Sequence, residues 1–390
     1  MYDLIIAGAG LTGLSLCHLL YQQGAKPRVL LVDPSPEPLY APYSPSFDDR
    51  SSALSLDSVQ RLDALLPSSW RAPLAAMHSI DVSEQGMLGH CLLQAEQQGV
   101  PFFGLVCPNA WLGQQLWQQR PAHAELEFSW QTQVIGSQVL ADRRLIQLSD
   151  GRELSCACLI VADGGRSNLL KQLGIASHQH AYQQYAHVVN AVFAEPIAGR
   201  AFERFTPQGT LAALPLAQLG HYALVLIDSQ PLNEQQLYQQ VQQRLGWRLG
   251  RLQQLGKAQH YPLVKRQSQE LVRQRLALCG NAALALHPVA GQGFNLALRG
   301  ASRLAEVLRP AWQQQQDLGE LNRLQHYQQQ QWPDLQQIGA FSHGLVQLFD
   351  QQHSLIRHGR SVGLNLMASS PRAKGLFAHF AMGRPKQPNL

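Results

Sequence analysis

The apolar run Leu4-Ile5-Ile6-Ala7 is followed by a glycine-rich turn, a helix-compatible stretch from Leu14 to Tyr21, and a second apolar run, Val29-Leu30-Leu31-Val32. Short apolar runs on either side of a helical segment predict a strand, a turn, a helix and a parallel strand. Another such run, Leu159-Ile160-Val161-Ala162, reads as a further strand of the same kind. Around Met77 to Leu93, and again from His187 to Ile227, apolar and polar positions alternate instead, which predicts strands of a separate antiparallel sheet. Between these stretches Asn109 to Gln119 and Leu54 to Leu66 read as helices, and Leu126 to Ile146 as short strands. From Leu296 onward the pattern is mostly helical. The expected organisation is an α/β chain in which residues 1–75, 100–178 and 270–330 build a discontinuous Rossmann-like domain. Residues 76–99 and 179–269 build an inserted sheet domain, and 331–390 a helical C-terminal region. The glutamine clusters 313–316 and 328–331 are expected on helix surfaces or in a helix connection.

Composition narrows the class. The chain has 390 residues, 45% of them hydrophobic, enough for sizeable cores. Only 15% are charged and the net charge is +5, with no Lys/Arg block interleaved with aromatics, so nucleic-acid binding has no support. The cysteines 17, 91, 107, 156, 158 and 279 lie largely in apolar runs and read as reduced, buried thiols. Cys156-x-Cys158 lacks the spacer of a redox or zinc pair, so no metal is expected. The apolar N-terminus has no basic leader and is divided by its glycines, and no run of ~20 uninterrupted apolar residues follows. A cytoplasmic protein is expected, with peripheral contact at the inner membrane left open.

The candidate chemistry starts at Gly8-x-Gly10-x-x-Gly13. Gly8 permits the turn, Gly10 lets the backbone approach a pyrophosphate, and Gly13 lets helix and strand pack closely. The helix N-terminus adds N–H donors and partial positive charge. Asp33, at the end of the second strand, stands where a ribose hydroxyl acceptor is expected. Val161-Ala162-Asp163-Gly164-Gly165-Arg166-Ser167 ends a strand with an acid and two glycines. It reads equally as a second approach to a dinucleotide and as a helix N-cap. A third segment runs from Leu278-Cys279-Gly280-Asn281 through His287-Pro288 to Gly291-Gln292-Gly293-Phe294-Asn295, and opens a helix from Phe294 to Leu308.

Together these segments resemble the three marks of the flavoprotein aromatic hydroxylase superfamily. Within it the chain is similar to the ubiquinone-biosynthesis hydroxylases, through Phe47-Asp48-Asp49-Arg50, Gly199-Arg200-Ala201-Phe202-Glu203-Arg204-Phe205-Thr206, Leu214-Pro215-Leu216 and the third segment. The resemblance implies a Rossmann-like FAD-binding domain with an inserted antiparallel-sheet substrate domain and a helical C-terminal region. It implies an FAD site formed by Gly8, Ala9, Gly10, Leu11, Thr12, Gly13, Asp33, Arg50, Asn109, Asp163, Gly164, Asn281, Pro288, Gly291, Gly293, Phe294 and Asn295. It further implies NAD(P)H as a transient electron donor, O2 as co-substrate and a polyprenylated methoxyphenol hydroxylated through a flavin C4a-hydroperoxide. Other ubiquinone-biosynthesis proteins are possible partners, and no residue is assigned as the phenol-activating base.

Departures from the family pattern are Asn281 where an aspartate is usual, Leu170-Lys171 where an arginine is common, and Gly300 where an acid is frequent. They keep open a non-catalytic FAD- or lipid-binding subunit. Another flavoenzyme of the same fold also stays open, although the Trp-x-Trp-x-Ile-Pro segment of halogenases is absent. Phe193, Phe202 and Phe205 are candidates for an apolar channel or for sheet core, and Glu203 with Arg204 for a surface pair or a gate over the ring. Leu364, Leu366, Met367, Leu376 and Phe377 among Arg372 and Lys374 form a stripe that could rest on a membrane, although such stripes more often pack inward.

Overall fold

The computed structural model describes residues 1–38, 50–165, 167–286, 291–351 and 353–383. The opening unit is β1 (Tyr2–Ala7), α1 (Leu11–Leu20) and β2 (Val29–Val32). Then come β3 (Ser51–Ser55), α2 (Leu56–Asp63), β4 (Ala75–Met77), β5 (Ser79–Glu84), β6 (His90–Gln94), β7 (Gly104–Pro108) and α3 (Asn109–Gln118). β8 (Leu126–Ser129), β9 (Val134–Val139), β10 (Arg144–Leu148) and β11 (Glu153–Val161) lead to the one-turn α4 (Leu169–Gln172). β12 (Ser177–Phe193), β13 (Arg200–Thr206), β14 (Gly209–Pro215), β15 (His221–Asp228) and α5 (Glu234–Leu245) follow. β16 (Leu252–Leu255), β17 (Gln259–Ser268), β18 (Val272–Arg273), β19 (Leu276–Leu278) and β20 (Leu284–Ala285) come next. The described chain ends in helices α6 (Gly293–Gln313), α7 (Leu321–Asp350), α8 (Ser354–Ser369) and α9 (Pro371–Ala381).

The first sheet has the parallel order β19-β11-β1-β2-β8, edged by β18, with β10 and β9 added antiparallel along the first half of β11. Its central residues, Leu4 to Ile6 and Cys158 to Val161, are fully buried, as strands covered on both faces require. The second sheet runs β20-β17-β12-β15-β14-β13-β5-β6, antiparallel apart from the parallel pair β13–β5, with β16 also on β12. One of its faces is covered by α5, whose Leu237, Val241 and Leu245 pack on Val189, Phe193, Phe202 and Leu224. On the other face Val82 and Phe205 pack with Phe349, Leu364, Ala378 and Met382 of the C-terminal helices. A small antiparallel sheet, β3-β7-β4, lies at the boundary between the two.

Local differences from the sequence pattern have physical causes. The helix expected from Leu54 starts at Leu56, because Leu54 and Ser55 complete β3 and the Ser55 hydroxyl accepts the Ser58 N–H at 3.3 Å as N-cap. β12 starts at Ser177 rather than His187: its first ten residues are largely polar, only Ala186 among them is buried, and they are held by backbone pairing to β17. Gln331 is not on a helix surface as expected for its cluster. It is buried between α6 and α7, where its Oε1 accepts from Arg303. The C-terminal stripe is divided: Leu364, Met367 and Phe377 pack inward, whereas Leu366 and Leu376 face out. Phe193 and Phe202 belong to the core beneath α5.

Candidate cofactor site

β19, β11 and β1 are parallel neighbours, so their carboxyl ends bring together three turns distant in sequence, at the edge where open α/β sheets bind ligands. Gly8, at φ +111°, packs so closely on the second turn that a Cβ would stand 2.6 Å from the Ala162 carbonyl oxygen. A Cβ at Gly13 would collide with the carbonyl oxygen of Gly8, so this glycine seats α1 against the turn. At Gly280, with φ +64°, a Cβ would fall 2.9 Å from Thr12 Oγ1, which joins the third turn to the start of α1. Gly10 differs: a Cβ there would meet nothing within 4 Å. Its backbone faces open space.

Polar groups fasten the cradle. Asp33 Oδ2 accepts the Ala9 N–H at 2.8 Å and Oδ1 accepts the Ser35 N–H at 2.9 Å, leaving each oxygen a further lone pair. Asp163 accepts the Gly165 N–H at 2.7 Å and the Ser167 hydroxyl, and Ser167 Oγ accepts the Leu169 N–H at 3.1 Å. Its carboxylate thus caps its own turn. Gly164 follows it at φ +72°. Asn281 is exposed beside this turn, and Leu11, Thr12 and Phe294 are half-buried. Across the cradle the Asn109 N–H donates to the Arg50 carbonyl at 2.8 Å, and the Ser52 hydroxyl donates to Asn109 Oδ1 at 2.7 Å. The Arg50 side chain is exposed. Pro288 lies outside the described residues.

At the third segment Asn295 is buried and its amide is committed to the protein. Oδ1 accepts the Ser55 N–H at 2.9 Å, and Nδ2 donates to the Ala53 and Gly291 carbonyls at 2.9 and 3.0 Å. These bonds pin the start of α6 to β3, and a Cβ at Gly291 would stand 3.3 Å from that of Ala53. A Cβ at Gly293 would meet nothing within 4 Å. α1 and α6 both begin with no side-chain cap and no acid in the first turn, so their first N–H groups and positive ends are left for a ligand. Gln292, the residue before α6, is buried, and its Oε1 has no hydrogen-bond partner among the described residues. A buried acceptor without a donor is costly. An open cradle at Gly10 and Gly293, two uncapped helix starts and an orphaned amide oxygen together fit a dinucleotide carrying a ring with its own N–H donors. Burial pushes the Cys279 thiol, which precedes the third turn, up to about 12. Gln292 and the β3 contacts of Asn295 were not read from the sequence; the uncapped glycine-rich start of α6 was their available signal.

Residues 1–338 match the family described as FAD binding domain. The chain belongs to this family. It aligns over most of its length with ubiquinone-biosynthesis hydroxylases, and it is an FAD-dependent monooxygenase of that group. The 3-demethoxyubiquinol 3-hydroxylase of Escherichia coli is 30% identical over 78% of this chain and 79% of its own length. Ubiquinone hydroxylase UbiL of Rhodospirillum rubrum is 28% identical, with 100% of this chain and 92% of the relative covered. In fold, the FAD-binding protein superposes on p-nitrophenol 4-monooxygenase PnpA of Pseudomonas putida with a TM-score of 0.81 at 16% identity, over 100% of this chain and 99% of the other.

Proposed function

We propose that the protein hydroxylates the ring of a polyprenylated methoxyphenol, converting a 2-octaprenyl-6-methoxyphenol-type substrate to the methoxy-1,4-benzoquinol, with NAD(P)H as transient donor. The observation that carries this reading is an apolar strip of the second sheet that abuts the cofactor cradle. Ala201, Leu214 and Leu216 pack with Met77 and Val106 beside Ala53, the residue against which Gly291 lies. An aromatic ring with an apolar tail is the ligand class such a strip suits. The named activities of the relatives support it.

In this reading the first-turn N–H groups of α1, with Gly10 as the point of closest approach, would hold the pyrophosphate, and Asp33 would accept a ribose hydroxyl. Gln292 Oε1 would accept an N–H of the ring, and the positive N-terminus of α6 would favour negative charge beside it. Asn295 acts at one remove, by fixing that terminus to β3. When bound and reduced, FAD supplies the activation of O2 for insertion into the aromatic ring. The protein's own task is to orient the phenol and exclude water, which the packed sheet strip and C-terminal helices serve. No described helix is long and apolar enough to cross a membrane. The exposed leucines and valine of α8 and α9 support a peripheral contact through which a lipid-borne substrate enters.

The test is aerobic turnover of a prenylated methoxyphenol under isotope-labelled O2, with mass analysis of the product. One labelled oxygen in a new ring hydroxyl is expected; unlabelled product overturns monooxygenation of this substrate.

A further inference from the structure

Side chains alternate across a strand, so Glu203 and Arg204 of β13 point to opposite faces of the second sheet and form no pair. Arg204 goes to the α5 side, where Nε donates to the Arg244 carbonyl at 2.7 Å and Nη1 to Ser83 Oγ at 3.1 Å. Glu203 goes to the other side, between Ala201 and Phe205. Ala201 belongs to the apolar cluster that reaches Ala53 at the cofactor cradle, and Phe205 stacks on Phe349 of α7 with ring centroids 3.4 Å apart. Across the strands its neighbours are Val82 of β5 and Ala212 of β14. A carboxyl group therefore stands in the middle of the apolar strip, between the cradle and the C-terminal helices.

Glu203 is half-buried as a residue, yet Oε1 is sealed from solvent, and among the described residues it has no hydrogen-bond partner and its side chain no ion pair. Glu84, one step along the same face, is held by Arg357 and Arg360 of α8, and no ion pair among the described residues joins Lys374 of α9 to Glu203. Burial is the one cause that moves the Glu203 carboxyl, pushing it up to about 7. An unpaired buried carboxylate is expensive, and none of the described residues compensates it. Ala212, Leu214 and Val225, on the same face of the sheet, are only half-buried, so the described chain does not fully cover this face.

We propose that Glu203 binds the hydroxyl of the phenolic substrate and accepts its proton, an inference that rests on the substrate class proposed above. The phenol O–H bond breaks, its electron pair stays on the phenol oxygen, and the proton forms the O–H of the Glu203 carboxyl. No electrons are exchanged between the two groups. The phenolate so formed pushes electron density into the ring, and the protonated carboxyl then donates a hydrogen bond back to it.

The test uses FAD-loaded protein, with 2-methoxy-6-geranylphenol and its O-methyl ether as probes and perturbation of the flavin absorbance as the binding signal, at pH 5.5 and 8.5. The parent protein is expected to bind the phenol about tenfold tighter at the higher pH, where a charge-assisted hydrogen bond forms. It should bind the ether more weakly there, because the ether offers no donor to the charged carboxylate. Glu203→Gln, with unchanged FAD content, should bind each probe with the same affinity at both pH values, because the amide does not titrate. Phenol affinity that is pH-independent and the same in parent and variant overturns the role of Glu203 while leaving the substrate class standing. Failure of both probes to bind either loaded protein overturns the substrate class, and this inference with it.

Discussion

At position 10 a side chain would enter empty space, and at position 13 it would strike the backbone of the same turn. The two glycines therefore fail differently. Gly10→Val should leave the fold's melting temperature close to that of the cofactor-free parent but yield colourless protein, since the isopropyl group would fill the place proposed for the pyrophosphate; a fully flavinylated variant contradicts this. Gly13→Ala should cost on the order of 1–3 kcal/mol in urea denaturation even without FAD, the range of an overpacked site. The close packing at Gly13 and the open backbone at Gly10 were legible because spacing within one turn encodes them. Glu203 and Gln292 were not, since a missing partner is a property of the folded neighbourhood and leaves no local pattern. For Glu203 the sign of the pH effect follows from burial: its carboxyl is raised from 4.5 to about 7, so the fold favours the neutral form. Its stabilising contribution is complete below about pH 4.5 and is lost as pH rises through 7. Glu203→Gln should match the parent near pH 5 and exceed it at pH 9 by on the order of 3 kcal/mol in urea titrations.

The pairing of α6 with α7 explains the departure at Gly300. A Cβ there would stand 3.1 Å from Gln331 Nε2, so the glycine makes room for a glutamine of α7. The acid comes from α7 too: Asp334 accepts from Arg299 Nε at 2.8 Å and from Arg303 Nη1 at 2.8 Å, with the Arg299 and Asp334 side chains only 3% and 4% exposed. Removing one partner of a buried pair strands the other charge. Asp334→Ala should therefore cost about 3–5 kcal/mol in denaturant unfolding, and a loss under 1 kcal/mol would show that the pair is solvated in solution. Elements with strong periodicity or runs, such as α1, α3, β1 and β11, were readable along the chain. This clamp was not, because its acid sits on another helix. The polar first half of β12 was equally hidden, since backbone pairing rather than an apolar stripe holds it in the sheet.

On the scale of the whole molecule, parallel order in one sheet gathers the cradle, and the second sheet extends an apolar strip from it to the C-terminal helices. The inward side of α8 is anchored by Arg360, which is buried and pairs with Glu84, and by Leu364. Its outward side carries Leu355, Val362 and Leu366, 75%, 56% and 63% exposed, at spacings that place them on one line of the helix. Leu376 of α9 is also exposed, and Arg372 and Lys374 lie near it in the chain. An amphipathic helix anchored on one side and greasy on the other lies flat on a bilayer when basic groups flank it. The sequence stripe showed that these residues were amphipathic, but only packing could divide it into leucines that hold the helix and leucines that remain free. The parent protein should co-float with vesicles containing anionic phospholipid, and a variant with Leu355→Ser, Val362→Ser and Leu366→Ser should lose most of this binding. Its melting temperature and FAD content should hold, because exposed side chains contribute little to the fold. Equal flotation of parent and variant would move the contact to another surface, and flotation of neither would leave the lipid tail to reach the strip without a membrane-bound enzyme.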